Sequence, residues 1–135
     1  MNKLRTNILI ILALCVSLSV VAQESDDIME RVEEALKSSS SKELTKHLHT
    51  KLEIRLDGER KEYSKNQAEI MLKQFFQQNP ASGFEFIHEG DNDTGGILYA
   101  IGTYTSSSGK HRVVVRAKQY NKKYKVYRLE FSKER

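Results

Sequence analysis

The sequence predicts an α+β fold in which helices come first and an antiparallel sheet closes the chain. Three observations carry this. Apolar residues recur at helical spacing over 26–37 and again over 65–79. From Phe84 to Phe131 the chain is rich in β-branched and aromatic residues, in four runs separated by turn-forming clusters. The linkers between those runs are too short for parallel crossovers, so the four strands form a meander.

Ahead of the folded part, Lys3 and Arg5 precede the apolar run Ile8 to Val21, and Val20-Val21-Ala22 offers small residues before Gln23. This is the pattern of a secretory signal peptide over 1–22. The run is shorter than the roughly 17–25 residues that a spanning helix requires. Cys15 is a poor lipid-anchoring site, because Leu14 stands where a small residue is needed and mostly apolar residues follow. The expected product is a periplasmic or secreted chain of 113 residues, Gln23 to Arg135, which is one domain's worth. It contains no cysteine, so disulfides and thiol chemistry are excluded.

The elements follow in order. Ile28, Met29, Val32, Ala35 and Leu36 share a helical stripe behind Ser25, Asp26 and Asp27, which suit a helix N-terminus. Four serines, 38–41, break that helix, and Ser40 with Glu43 forms a capping box for a short second one through Leu44 and Leu48. Leu52, Ile54 and Leu56 alternate with charged residues up to the Asp57-Gly58 turn, a half-buried strand over 51–57. Ser64 and Gln67 cap a helix over 65–79 with Ala68, Met71, Leu72, Phe75 and Phe76 on one face, and Asn79-Pro80 ends it. The four strands are 84–89, 97–105, 112–119 and 124–131.

Charge is unevenly spread. Gly109 to Arg135 holds ten Lys/Arg against two Glu, a net of +8, whereas Gln23 to Ser108 holds ten against sixteen acids, a net of −6. The basic end interleaves Tyr120, Tyr124 and Tyr127 with its cations, which in a cytosolic chain would suggest nucleic acid. Export points instead to a polyanionic envelope partner, against the plainer reading of a solvated sheet face.

In Tyr63-Ser64-Lys65-Asn66-Gln67-Ala68-Glu69, Phe75-Phe76-Gln77-Gln78-Asn79-Pro80, His88-Glu89-Gly90 and Tyr99-Ala100-Ile101-Gly102-Thr103 the chain resembles an uncharacterised family of small exported bacterial proteins with a nuclear transport factor two-like, or cystatin-like, cone fold. The resemblance spans nearly all of 23–135. It implies a curved sheet and a long helix enclosing a conical pocket, used by different members for ligands, for catalysis or simply as core, and it brings no activity.

Candidate sites are few. His47 and His49, two apart near Glu43, point to different sides of a helix and do not make a metal site. His88 and His111 lie on separate strands without a third ligand. Asp91, Asp93 and Gly96 match three positions of a calcium loop, but Gly95 and Gly102 stand where ligands are required. No nucleophile elbow or phosphate-cradling loop is present. No catalytic residues, cofactor or metal are therefore expected. Tyr99, Arg116, Tyr127 and Arg128 are the candidate binding residues: any that faces the cone could hold an anionic or hydroxylated ligand, and otherwise the arginines face water and the tyrosines fill core. In the meander, Leu98, Ala100, Gly102 and Tyr104 oppose Ile97, Tyr99 and Ile101; Val113 and Val115 oppose Arg112, Val114 and Arg116; and Tyr127, Leu129 and Phe131 oppose Val126, Arg128 and Glu130.

The reading is an exported, non-catalytic binding module for an unidentified small molecule, envelope protein or polyanion, with neither nucleic acid nor a membrane span. Two alternatives stand beside it. One is a small lyase or isomerase with a cone-facing acid–base set drawn from His88, Tyr99 and Glu130. The other is a structural homodimer formed through the Tyr/Val face of the meander.

Overall fold

The structure, a computed structural model, describes residues 24–92 and 96–135. The expected signal peptide and its cleavage point lie outside these residues, as do the side chains of Ser25, Asp26 and Asp27 and the loop residues Asp93, Thr94 and Gly95. The elements are α1 (Glu24–Lys37), α2 (Ser41–Thr45), β1 (Leu48–Leu56), β2 (Glu59–Ser64), α3 (Lys65–Gln78), β3 (Ala81–Asn92), β4 (Ile97–Ser106), β5 (Gly109–Tyr120) and β6 (Lys123–Lys133). One six-stranded sheet carries them in the order β2-β1-β6-β5-β4-β3. The meander expected from the short linkers is β3 to β6, antiparallel throughout, while β1 joins it by pairing parallel to β6.

The four-stranded expectation is corrected to six strands in one sheet. The sequence Glu59-Arg60-Lys61-Glu62-Tyr63-Ser64 has no apolar alternation because β2 is an edge strand whose charges discourage further pairing. Asp57 and Gly58 both take positive φ, 49° and 87°, which closes a two-residue hairpin with Leu56 opposite Glu59. The second helix ends at Thr45, before Leu48. The Val126 amide donates to the His47 carbonyl and draws the chain into the sheet from Leu48 onward.

Both helices that cover the sheet form as their sequences dictate. Ser64 and Gln67 make a reciprocal capping box at the start of α3, with bonds of 3.3 and 3.1 Å. At α2 the Ser40 hydroxyl accepts from the Glu43 amide, but the Glu43 carboxylate turns to Lys46 instead. The α1 stripe of Ile28, Met29, Val32, Ala35 and Leu36 is buried, as are Ala68, Leu72, Phe75 and Phe76 of α3. They meet Leu52 and Ile54 of β1, Phe84 of β3, Tyr104 of β4, Val113 and Val115 of β5, and Leu129 and Phe131 of β6. These residues define the inner face of the sheet.

At one end of this core, the Tyr104 hydroxyl donates to the Asn79 carbonyl (2.5 Å) and bonds the Ser39 hydroxyl (2.9 Å), whose oxygen also accepts from the Ala81 amide (2.8 Å). The knot ties the α1–α2 turn, the end of α3 and the start of β3 to β4. Burial pushes the Tyr104 phenol pKa up, opposed in part by the Ser39 bond.

Candidate functional site

The register decides which face each candidate residue occupies. In β4, Leu98, Ala100, Gly102 and Tyr104 turn toward the helices, leaving Ile97, Tyr99, Ile101 and Thr103 on the outer face. In β5, Val113, Val115 and Ala117 turn inward and Arg112, Val114 and Arg116 outward. In β6 the expected alternation is corrected by a bulge. Arg116 pairs with Arg128 but Ala117 pairs with Val126, so Tyr127 is an extra residue. Val126 therefore joins Leu129 and Phe131 in the core, while Arg128 and Glu130 face outward.

One cross-strand row results on the outer face: Gly90, Tyr99, Arg116, Arg128, Glu53 and Glu62, each opposite the next. Tyr99, Arg116 and Arg128 thus lie on neighbouring strands within roughly 10 Å. They do not line the cone. Tyr127 sits at the bulge beside them, with the Arg128 guanidinium 6.0 Å from its ring centre.

The two arginines differ in their company. Arg128 lies 3.5 Å from the Glu53 carboxylate, which also pairs with Arg60 at 2.8 Å. The side chain of Arg116 makes no ion pair or hydrogen bond among the described residues. Arg112, two residues behind Val114 on the same face, is exposed. The outer face is therefore charge-compensated over β1 and β2 and left cationic over β5.

Beside Arg116 an open depression of about 660 Å³ is lined by Ile97, Tyr99, Ile101 and Val114, with Asp91 and Asn92 at one end. Tyr99 is held in place. Its phenol end lies over Gly90, where an added Cβ would come within 2.4 Å of the ring, and its hydroxyl is 3.2 Å from His88 Nε2. A second bulge, at Ile87, puts His88 on this face: Phe86 pairs with Gly102, and His88 with Ile101.

Residues 29–132 match the model of DUF4783, a domain of unknown function. The chain belongs to that family. It is similar to the crystal structure of a DUF4783 family protein from Bacteroides ovatus, at 28% identity over 78% of this chain and 94% of that one, with a TM-score of 0.75. A DUF4783 family protein from Bacteroides fragilis gives 29% identity, 77% and 96% coverage and a TM-score of 0.73. An NTF-2 like protein of unknown function from Silicibacter pomeroyi shares the fold at 8% identity, with 82% and 93% coverage and a TM-score of 0.61. No curated protein sequence matches.

Around Phe75 the cone implied by the resemblance is packed with side chains in this DUF4783 chain, over the described residues. Phe75 packs against Phe131, His111, Phe76 and Tyr104 at ring-centre distances of 4.7, 5.4, 5.7 and 5.9 Å. His111 was not singled out by sequence as core, yet it is 4% exposed and its Nδ1 has no hydrogen-bond partner. Burial lowers its pKa and Lys133 adds to the shift, while Asp57 opposes it. As pH falls below 6.5, the ordinary value, the unfolded chain takes up this proton before the folded one. Stability is then lost with falling pH until the folded-state pKa is passed. Thermal melts across pH 5–8 are expected to show a smaller acid-side loss in His111→Phe than in the natural chain, and equal losses would contradict the assignment.

The remaining candidates do not converge. His47 lines a polar cleft between α1 and α2 with Glu30, Glu34 and Glu43, whereas His49 stacks on Tyr120 at 3.7 Å. Among the described residues no three His, Cys, Asp or Glu side chains are placed to hold a metal. Asp91 and Asn92 end β3 and Ile97 begins β4, so strands flank the 91–96 segment. His88 and Tyr99 do meet, but on the outer face, and Glu130 lies three strands from His88 in its row, roughly 14 Å away. The cone-facing set imagined for a lyase is not assembled. Val113 and Val115 are spent in the core, so of the valines 113–115 only Val114 remains on the outer face for a dimer. Among the described residues, no helix is long and apolar enough to cross a membrane.

Proposed function

We propose that this is an exported binding module that holds an anionic envelope ligand or partner on the outer face of its sheet, without turning it over. The observation that carries the reading is Arg116, set in one row between Tyr99 and Arg128 and making no ion pair among the described residues. The basic C-terminal fifth of the sequence, net +8 from Gly109, forms β5 and β6. Alternation gathers Arg112, Arg116 and Arg128 on the side away from the helices. The cleft on the helical side mixes Glu30, Glu34 and Glu43 with Arg31, Lys46 and His47. The arginines over β5 therefore offer a polyanion the more cationic surface, with an attraction that salt weakens.

Retention on a dextran sulfate column tests it. Arg112→Gln combined with Arg116→Gln is expected to elute at clearly lower salt than the natural protein. Lys37→Gln with Lys73→Gln, the same charge change on α1 and α3, is expected to shift elution little. Equal shifts from both pairs, or no retention of the natural protein at low salt, would contradict the reading.

A further inference from the structure

We propose that the depression beside Arg116 is a saccharide subsite, and that the sugar it takes carries a carboxylate. The inference rests on the outer-face reading above and narrows it to one place and one ligand class. A sugar ring presents an apolar C–H face and a rim of hydroxyls, so it needs an apolar floor, an aromatic wall and polar groups at the margin. The depression supplies these from separate strands. Ile97 and Ile101 of β4 and Val114 of β5 line it with apolar surface, and Tyr99 adds an aromatic ring.

Two features make this more than an apolar hollow. Tyr99 is preorganised, because Gly90 leaves room for its phenol end on the edge strand and His88 bonds its hydroxyl. Ordering that ring on binding therefore costs little entropy. Arg116, at the margin, makes no ion pair among the described residues, the Asp91 that also lines the depression included, and a guanidinium presents paired N–H donors that match a carboxylate in two parallel bonds. The neighbouring Arg128 is already engaged by Glu53, so the row offers one vacant guanidinium beside the apolar floor.

Shape argues against other anions. A fatty acid requires an enclosed apolar channel, and this depression is partly open to solvent. A polyphosphate chain, which has no apolar face, would use the cations but leave the floor of Ile97, Ile101 and Val114 without a partner. An acidic glycan uses both.

The probes are trisaccharides of galacturonate and of glucuronate, each with its neutral methyl ester, titrated into the natural protein and followed by the methyl NMR signals of Ile97, Ile101 and Val114. At least one acid is expected to shift those methyls saturably, with its ester binding about tenfold more weakly. Arg116→Gln is expected to weaken the acid by a similar factor and to abolish the preference over the ester. Tyr99→Leu should weaken acid and ester alike. Lys73→Gln, exposed on α3 across the sheet, should leave the preference intact. All three variants change side chains outside the core, and unchanged far-ultraviolet circular dichroism confirms that each is folded.

If neither acid moves the three methyls, or if Arg116→Gln keeps the full preference for acid over ester, the subsite is overturned. Dextran sulfate retention that still depends on Arg112 and Arg116 would then leave the wider outer-face reading standing. Loss of retention as well would remove both.

Discussion

Phe75→Asp is expected to unfold the domain. Phe75 is 6% exposed and its ring touches rings from α3, β4, β5 and β6 at once. Removing it forfeits about 1.5–3 kcal/mol of apolar burial. A carboxylate in its place adds a desolvation cost of several kcal/mol, and the neighbouring His111, whose pKa burial lowers, would itself have to be charged inside the core to offset it. Together these approach the whole stability of a domain of this size, about 5–15 kcal/mol. Ile70→Asp, one and a half turns earlier on α3 but 62% exposed, is the matched control and should melt close to the natural protein. Circular dichroism melts decide it: a cooperative transition for Phe75→Asp near that of Ile70→Asp would contradict the packing described here.

Gly102→Ala has the second largest expected effect, because one methyl group would meet backbone. A Cβ at Gly102 would lie 2.6 Å from the Glu85 carbonyl oxygen and 2.7 Å from the Phe84 ring. Phe84 packs down on β4 at this point, with Phe86 edge-on to it at 5.0 Å. Relieving the overlap means parting β3 from β4 where they pair, at a cost of about 1–3 kcal/mol. At Gly83, also on β3, an added Cβ meets nothing within 4 Å. Gly83→Ala should therefore stay within about 0.5 kcal/mol of the natural chain. Denaturant melts of the two variants should differ in midpoint, and equal midpoints would show that the strands can yield at Gly102 without penalty.

Much of this architecture was legible in the residues. The apolar stripes of α1 and α3, the capping box at Ser64 and the turn clusters of the meander are local signals, and local interactions form them. What was illegible depended on distant partners. β2 has no dry face to betray it, and only the Asp57-Gly58 turn hinted at a returning strand. The parallel pairing of β1 with β6 joins segments more than seventy residues apart, which no periodicity records.

The candidate site shows the same division. Alternation separated Tyr99 from Ala100 and Arg116 from Val115, but could not say which set met the helices. At Tyr127 even the alternation failed, since one extra residue in β6 reverses the phase of all that precedes it, with no local mark in the sequence. His111 escaped notice as core because histidine is seldom buried without a full set of hydrogen bonds, and its ring neighbours Phe75 and Tyr104 come from two other elements.

The measurement that tests the account most directly is thiol labelling at two adjacent positions of β5. In a Cys15→Ser background, which removes the single natural cysteine, V114C and V115C are each exposed to a small polar thiol reagent with and without dextran sulfate. A V114C thiol that reacts quickly and is protected by the polyanion, beside a V115C thiol that stays inert in both conditions, is the predicted result. Rapid labelling of V115C, or labelling of V114C at the same rate with and without the polyanion, would contradict a filled cone and a binding face on the outside of the sheet.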